Sequence, residues 1–173
     1  MKNSKSRVIA LSAISAAFAL VLLVLGSYIE VLDLSCLFMA SLALMLPLAK
    51  GYRMGGFLAY LASALLAFIL TGMRLQVLIP FAMFFGLHPL ANDIQRKYKI
   101  NVILATAIKA AWFIATLFVM YYFTSMFIVE HEVIKQYINY VLVIGGGLVF
   151  IVYDWFMVYF QRAINSIVVK LKL

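Results

Sequence analysis

Charged residues are scarce in this chain, and that scarcity excludes a soluble protein built around one hydrophobic core. Of 173 residues only 12% are Asp, Glu, Lys or Arg, whereas 67% are hydrophobic. The mean hydropathy is +1.10. Soluble domains are about 45–50% apolar, so this chain has more apolar surface than a single core can bury. The composition therefore predicts an all-α polytopic membrane protein.

Cysteine and the common catalytic motifs are also nearly or wholly absent. Cys36 is the single cysteine, so no disulfide can form within the chain, and its place in an apolar run favours a packing role. The sequence has no Walker phosphate-binding loop and no GxSxG, HExxH or CxxC motif. We therefore expect no enzymatic activity, no cofactor and no resident metal ion. Active transport would need a gradient or a partner as its source of energy.

Six apolar segments have about the length of a membrane-spanning helix, which is about 17–25 residues. Because the connections between them are short, we expect one membrane domain over residues 1–173. The first segment follows the basic "MKNSKSR" and lacks a small-residue cleavage site, which favours an uncleaved span over a secretory signal. The predicted spans are residues 8–29, 32–49, 54–70, 75–90, 100–123 and 134–160.

The positions of the basic residues predict that both termini are cytoplasmic. The chain has 14 Lys and Arg against 6 acidic residues, and six spans place eleven of the 14 on one side. Cytoplasmic loops carry such an excess, so topology explains the positive charge without nucleic acid. We expect a multi-pass protein of the cell (plasma) membrane. The eleven are Lys2, Lys5, Arg7, Lys50, Arg53, Arg96, Lys97, Lys99, Arg162, Lys170 and Lys172.

Two charged residues fall inside predicted spans, at similar depths. Lys109 lies ten residues beyond Lys99, and Asp154 lies eight residues before Arg162, so they are about 15 and 12 Å from the same membrane edge. By some scales an isolated charge at this depth is unfavourable by about 2.5–3.5 kcal/mol. We predict an intramembrane ion pair of Lys109 and Asp154, either on a substrate or proton path or as a structural clasp. Snorkelling of Lys109 to the interface is the alternative.

Histidine is too sparse to suggest a metal site. His88 lies in "FFGLHPLANDI" near the inner end of the fourth span, where we expect it at the interface. Pro89 is expected to break the helix there and to turn the chain towards the basic "RKYK". His131, in "EHE" at 130–132, falls on the opposite side of the membrane, and three adjacent side chains do not converge easily on one ion.

Small residues are frequent on the first span. Its stretch "ALSAISAAFAL" contains Ala13 and Ala17, which share a helix face. Small side chains let another helix approach closely in lipid, so this face either packs within the bundle or docks a partner helix. For a similar face on the third span, with Ala59, Ser63 and Ala67, packing is the preferred interpretation. The candidate docking residues are Ala10, Ser12, Ala13, Ala16 and Ala17.

A ligand that arrives from outside would meet the polar residues of the outer half. Tyrosines near a membrane edge are usually interfacial, whereas amides such as Gln76 and Asn139 need partners if they face the bundle interior. The glycine run at 145–147 either thins the sixth helix beside a cavity or allows a kink. The candidate substrate-binding residues are Glu30, Asp33, Arg74, Gln76, Asn139 and Tyr140.

Six short spans, two cytoplasmic ends and a basic N-terminus before "RVIALSAISAAFAL" resemble the S component of an energy-coupling factor (ECF) vitamin transporter. In that family an Ala-x-x-x-Ala face of the first helix packs on the transmembrane T component, and Ala13 and Ala17 match it. The resemblance implies a vitamin-like small molecule bound in the outer half. It also implies a T component and two ATPase subunits as partners. It accounts neither for Lys109 and Asp154 nor for a particular cargo.

Two other classes of protein fit the same sequence. A non-transporting cell-envelope scaffold similar to MreD has five or six spans and short loops, and this hypothesis predicts that polar residues line no cavity. A small proton-coupled transporter that uses Lys109 and Asp154 would transport as the purified chain alone. The S-component hypothesis instead predicts that the chain co-purifies with a T component and two ATPases.

Overall fold

The chain folds into a bundle of helices. The computed structural model describes residues 2–124 and 136–170, with the side chains of residues 2–5, 30, 124 and 169 left out, and this part contains no strand. The helices are α1 (Lys2–Tyr28), α2 (Asp33–Ala49), α3 (Arg53–Leu70), α4 (Leu75–Pro80), α5 (His88–Lys97), α6 (Val102–Thr124) and α7 (Gly146–Lys170). Short elements connect them, namely a 3-10 turn (Glu30–Leu32), a helical turn (Ile138–Tyr140) and two π-helical segments (Phe81–Phe85 and Val141–Gly145).

The predicted all-α polytopic membrane fold is confirmed for these residues. Five helical segments are long and apolar enough to cross a bilayer, and the sixth, α2, is an apolar helix of 17 residues. That length is at the lower limit for a spanning helix. The start of the sixth predicted span, residues 134 and 135, lies outside the described residues.

The fourth span differs from its prediction at the proline. Pro89 was expected to break the helix, but it lies in the first turn of α5, and helical structure extends from Leu75 to Lys97. The physical reason is that the first helical turn does not use the N–H group that proline lacks. A π-helical segment and Gly86 precede this restart, and a Cβ on Gly86 would collide with the ring of Tyr60.

Helix α2 lies at the centre of the bundle and contacts α1, α3, α5 and α7. Small residues permit close approach on one side of it. Ser15 of α1 is fully buried, and its hydroxyl donates a 2.7 Å hydrogen bond to the Ala43 carbonyl of α2. On α3, the small residues Ala59, Ser63 and Ala67 are all buried, which is the packing role preferred from the sequence.

The other side of the bundle is held by an aromatic layer, in which Phe84 is the central ring. Phe84 is fully buried, and its ring lies 4.9 Å from Phe113, 5.1 Å from Trp112 and 5.7 Å from Tyr153, measured between centroids. Edge-to-face contacts of this kind add about 0.5–1.5 kcal/mol per pair beyond burial. The layer joins the π-helical segment before α5 to α6 and α7 and divides the bundle into two halves.

Candidate functional site

We call the end of the bundle with the turns at 29–32 and 71–74 the outer end, following the predicted topology, and the opposite end the inner end. A buried polar cluster lies in the inner half. Lys109 of α6 is 5% exposed and donates a 2.7 Å hydrogen bond to Oδ1 of Asp154 on α7. Depth along the two helices had predicted this pairing, and the structure brings the two side chains together.

Helix α5 supplies two more members of the cluster, which the sequence analysis missed. Oδ1 of Asn92 accepts a second 2.7 Å hydrogen bond from Lys109, and Nε2 of His88 lies 3.0 Å from Oδ1 of Asp154. His88 was expected at the interface, but it is fully buried. The reason is that Pro89 starts a helix, which turns His88 and Asn92, four residues apart, towards the bundle interior. That spacing in "HPLAN" was the available signal.

The cluster balances one carboxylate against one ammonium group, and His88 adds a group that can carry a second positive charge. Nε2 of His88 is occupied by Asp154, whereas Nδ1 of His88 and Nδ2 of Asn92 have no hydrogen-bond partner in the described part of the chain. Buried polar groups are usually satisfied. An intramembrane ion pair with unused hydrogen-bonding groups beside it is therefore a candidate functional site.

A second ionic cluster lies near the inner surface, separate from the first. Asp93 of α5 lies 2.7 Å from Nε of Arg53 on α3 and 3.2 Å from Arg96. Asp93 is 7% exposed, whereas the side chains of Arg53 and Arg96 are 33% and 44% exposed. These contacts fasten the inner ends of α3 and α5 together, which is a structural role.

The outer half contains a cavity of about 530 Å³, which is within the size range of small-molecule sites. Both π-helical segments border it, through Phe85 and through Val141, Leu142 and Gly145. Segments of this type are rare and often occur at functional sites. The other lining residues are Asp33, Leu34, Leu37, Pro80, Phe113, Thr116, Leu117, Met120, Ile138, Gly146 and Val149.

The chemistry of this outer cavity is mainly apolar. Asp33 and Thr116 are the polar side chains among its described lining residues. An apolar crevice of about 480 Å³ between α2 and α7 adjoins it, and the two share Leu34, Phe85, Phe113 and Val149. The cavity therefore suits a small molecule with an apolar body, and a cationic group on that molecule would be complementary to Asp33.

The aromatic layer separates the outer cavity from the buried polar cluster. Phe85 and Phe113 line the cavity, whereas the rings of Phe84 and Tyr153 lie 5.0 and 4.9 Å from His88 on the other side. The layer is tightly packed, because Phe84 is fully buried and its ring contacts neighbouring aromatic rings. The aromatic layer therefore lies between the outer cavity and the buried polar cluster.

Of the candidate substrate-binding residues, the structure places Asp33 at the outer cavity. Arg74 is directed to the end of α1, where it donates a 2.5 Å hydrogen bond to the Ser27 carbonyl and stacks on Tyr28. The other four candidates are not found at the cavity: three of them do not line it, and the side chain of the fourth is not described. Gln76 and Tyr140 are exposed, Asn139 is exposed and accepts a 3.2 Å hydrogen bond from Tyr122, and the side chain of Glu30 lies outside the described residues.

The small residues of α1 separate into two faces. Ala10, Ala13 and Ala17 are exposed on the side away from the bundle. Ser12 and Ala16 are half-buried; the Ser12 hydroxyl lies against Gly55 of α3, and Ala16 packs on the hydrophobic core. The candidate docking set therefore contains three alanines that face outward and two residues that pack within the chain.

Within the described residues no three His, Cys, Asp or Glu side chains are placed to hold a metal ion; the "EHE" stretch at 130–132 lies outside them. No protein family model matches the chain, and neither a curated protein nor a solved structure matches it.

Proposed function

We propose that this protein is the substrate-binding membrane subunit of an uptake transporter of the ECF type. It captures a small, largely apolar, vitamin-like molecule in the outer cavity and docks through α1 on a T component that two ATPase subunits drive. The main observation behind the proposal is the exposed face of Ala10, Ala13 and Ala17. These small side chains do not pack against the rest of the bundle, so another helix could approach α1 closely there.

The outer cavity supports the first half of this proposal. Its volume of about 530 Å³ is that of a small-molecule site, and two π-helical segments shape its wall. The aromatic layer closes it on the inner side. A closed inner side suits a subunit that holds its ligand until a partner changes its conformation or orientation.

The face on α1 supports the second half. Larger side chains, such as Ile14 and Phe18, flank the three alanines and are 50% and 58% exposed. The alanines therefore form a shallow groove along the helix, into which the side chains of a partner helix fit. Because the chain has no nucleotide-binding motif, a partner that binds ATP supplies the energy in this scheme.

The test is co-purification from the host membrane. We expect the wild-type chain to carry a T component and two ATPases, identified by native mass spectrometry, and we expect Ala13→Trp and Ala17→Trp to lose them. An indole on this face holds a partner helix away, so the van der Waals contacts that associate helices in lipid are lost. Phe18→Trp is the control, because that position is already bulky and exposed.

The outcomes distinguish the classes of protein. A complex that survives both tryptophan substitutions contradicts docking through this face. A wild-type chain that carries no ATPase contradicts the ECF-type function altogether, provided that the chain elutes as a folded species.

A second candidate function is proton-coupled transport by the chain alone, and the buried cluster of Lys109, Asp154, His88 and Asn92 is the observation that favours it. Intramembrane ionisable groups commonly mark proton paths. Uptake driven by a pH gradient in liposomes that contain only this chain would support it, and absence of uptake there would favour the ECF-type function. The scaffold hypothesis expects no cavity lined by polar residues, yet Asn92, Gln95 and Gln161 line a pocket in the inner half.

A further inference from the structure

A pocket of about 280 Å³ opens in the inner half of the bundle, between α5, the start of α6 and the second half of α7. We call it the inner pocket. Its polar lining consists of Asn92, Gln95 and Arg96 from α5 and Gln161 and Arg162 from α7. It lies on the predicted cytoplasmic side, at the level where basic residues end the apolar segments. Because basic residues flank the cytoplasmic ends of membrane spans, we expect the mouth of the pocket near the lipid headgroups and Asn92 deeper in the membrane.

The charges that line the inner pocket are positive. Arg96 and Arg162 are both exposed, and among the described residues no carboxylate lines the pocket with them. Arg96 shares Asp93 with Arg53, whereas Arg162 has no acidic partner in the described part of the chain. The pocket thus has two guanidinium groups, and only one of them contacts a carboxylate, which it shares with Arg53. This excess of positive charge favours binding of an anion, and the planar guanidinium group suits the oxygens of a phosphate.

Two buried amides in the inner pocket have unused hydrogen-bonding groups. Asn92 is 5% exposed and Gln161 is 2% exposed, and within the described ranges neither Nδ2 of Asn92 nor Oε1 of Gln161 has a hydrogen-bond partner. The Oδ1 of Asn92 and the Nε2 of Gln161 are already bonded, to Lys109 and Asn165. The pocket therefore offers one buried donor and one buried acceptor. A ligand that carries both a phosphate and a hydroxyl group would satisfy both.

An apolar groove continues from the inner pocket along the lipid-facing side of α6 and α7. It encloses about 550 Å³ and shares Val102 with the pocket. Ile103 and Ala107 form its wall on α6, and Gly147 and Ile151 form its wall on α7. A Cβ on Gly147 would meet open space, so no side chain fills the groove at that point.

From these features we propose that the inner pocket binds an anionic phospholipid of the inner leaflet whose headgroup carries a free hydroxyl, such as phosphatidylglycerol. The phosphate lies between Arg96 and Arg162 and accepts a hydrogen bond from Nδ2 of Asn92. The headgroup hydroxyl donates to Oε1 of Gln161. One acyl chain lies in the groove between α6 and α7, on helices other than α1, so the site does not depend on the proposed docking face.

The experiment is native mass spectrometry of the delipidated full chain in detergent, titrated with dioleoyl-phosphatidylglycerol, dioleoyl-phosphatidylcholine or inorganic phosphate. We expect one phosphatidylglycerol to bind in preference to phosphatidylcholine. Removal of the two charges in Arg96→Gln/Arg162→Gln should weaken that binding about fivefold per arginine. Arg7→Gln removes a charge from an exposed position on α1 and should change it less than twofold. Arg162→Lys keeps the charge and should retain an intermediate affinity.

A separate substitution tests the acyl-chain groove. Ala107→Trp fills the groove and should reduce the binding of dioleoyl-phosphatidylglycerol more than that of the short-chain dihexanoyl form. The proposal is overturned if the two dioleoyl lipids bind equally, or if the double arginine variant, eluting as the folded chain, binds phosphatidylglycerol as the wild type does. Displacement of the lipid by millimolar inorganic phosphate would assign the pocket to a soluble anion and overturn the lipid assignment.

Discussion

At the scale of single residues, the buried pair of Lys109 and Asp154 is the feature that most constrains this protein. A charge in the membrane interior is unfavourable unless it is paired and hydrogen-bonded. Asp154 meets this condition through Lys109 and His88, and Lys109 meets it through Asp154 and Asn92. Three helices, α5, α6 and α7, are thereby held together at one point.

This network predicts strong coupling between its two charges. We expect Lys109→Met and Asp154→Asn each to lower the free energy of unfolding by about 3–5 kcal/mol, because each leaves a partner buried without its counter-charge. The double variant should be destabilised by less than the sum of the two, with a coupling of about 0.5–3 kcal/mol. Denaturant unfolding in mixed lipid–detergent micelles measures all three.

Lys97→Met is the matched control for this cycle, because Lys97 is exposed at the inner end and contacts the ring of Tyr98. Its removal should change the free energy of unfolding by less than about 1 kcal/mol. Additive effects of Lys109→Met and Asp154→Asn would contradict an energetic role for the pair.

At the scale of helices, the glycine run 145–147 has three different environments. Gly146 touches Leu117 of α6, so that a Cβ there would collide with the leucine side chain. A Cβ on Gly145 or Gly147 would meet open space. Gly145 borders the outer cavity and Gly147 the groove between α6 and α7. The run therefore thins the last helix on two sides, which the sequence could suggest only as one of two possibilities.

Gly145 offers a direct test of the outer cavity. We expect Gly145→Phe to fold, because a Cβ at this position meets no atom within 4 Å and the position borders the outer cavity. We expect it to lose the small molecule that co-purifies with the wild-type chain. A phenyl ring in the cavity removes ligand contacts, and a loss of about 1.4 kcal/mol lowers the affinity about tenfold. Native mass spectrometry of the chain purified from its host membrane measures the retained molecule.

Val143→Phe is the control for that variant. Val143 is 46% exposed, two residues away on the same segment, and does not line the outer cavity. We expect Val143→Phe to retain the small molecule and Gly145→Phe to lose it. Equal retention by both would place the ligand elsewhere.

At the scale of the whole molecule, the six-span topology predicts which loops are accessible from each side. In a Cys36→Ala background, Lys99→Cys should react with a membrane-impermeant maleimide only after the cells are permeabilised, because it belongs to the positive side. Gln76→Cys, at the exposed outer end of α4, should react in intact cells. Gel-shift labelling of the two variants measures this, and the reverse pattern would invert the proposed inner and outer ends.

Composition and charge pattern were enough to predict the class of fold. Apolar runs of spanning length indicate helices, since a lipid environment requires each segment to satisfy its own backbone hydrogen bonds. The contact of Lys109 with Asp154 was also predictable, because residues at equal depth on the two arms of a helical hairpin meet. These features depend on local sequence and on distance along a helix.

The tertiary structure alone decided the rest. His88 and Asn92 join the buried cluster because α5 restarts at Pro89 and turns one face inward. The outer cavity, for its part, is bordered by residues of α2, α4, α6, α7 and two π-helical segments. Which side of a helix faces a cavity depends on how the helices rotate and cross, and that is set by packing among segments far apart in sequence. Helical periodicity in a uniformly apolar span carries almost no signal for it.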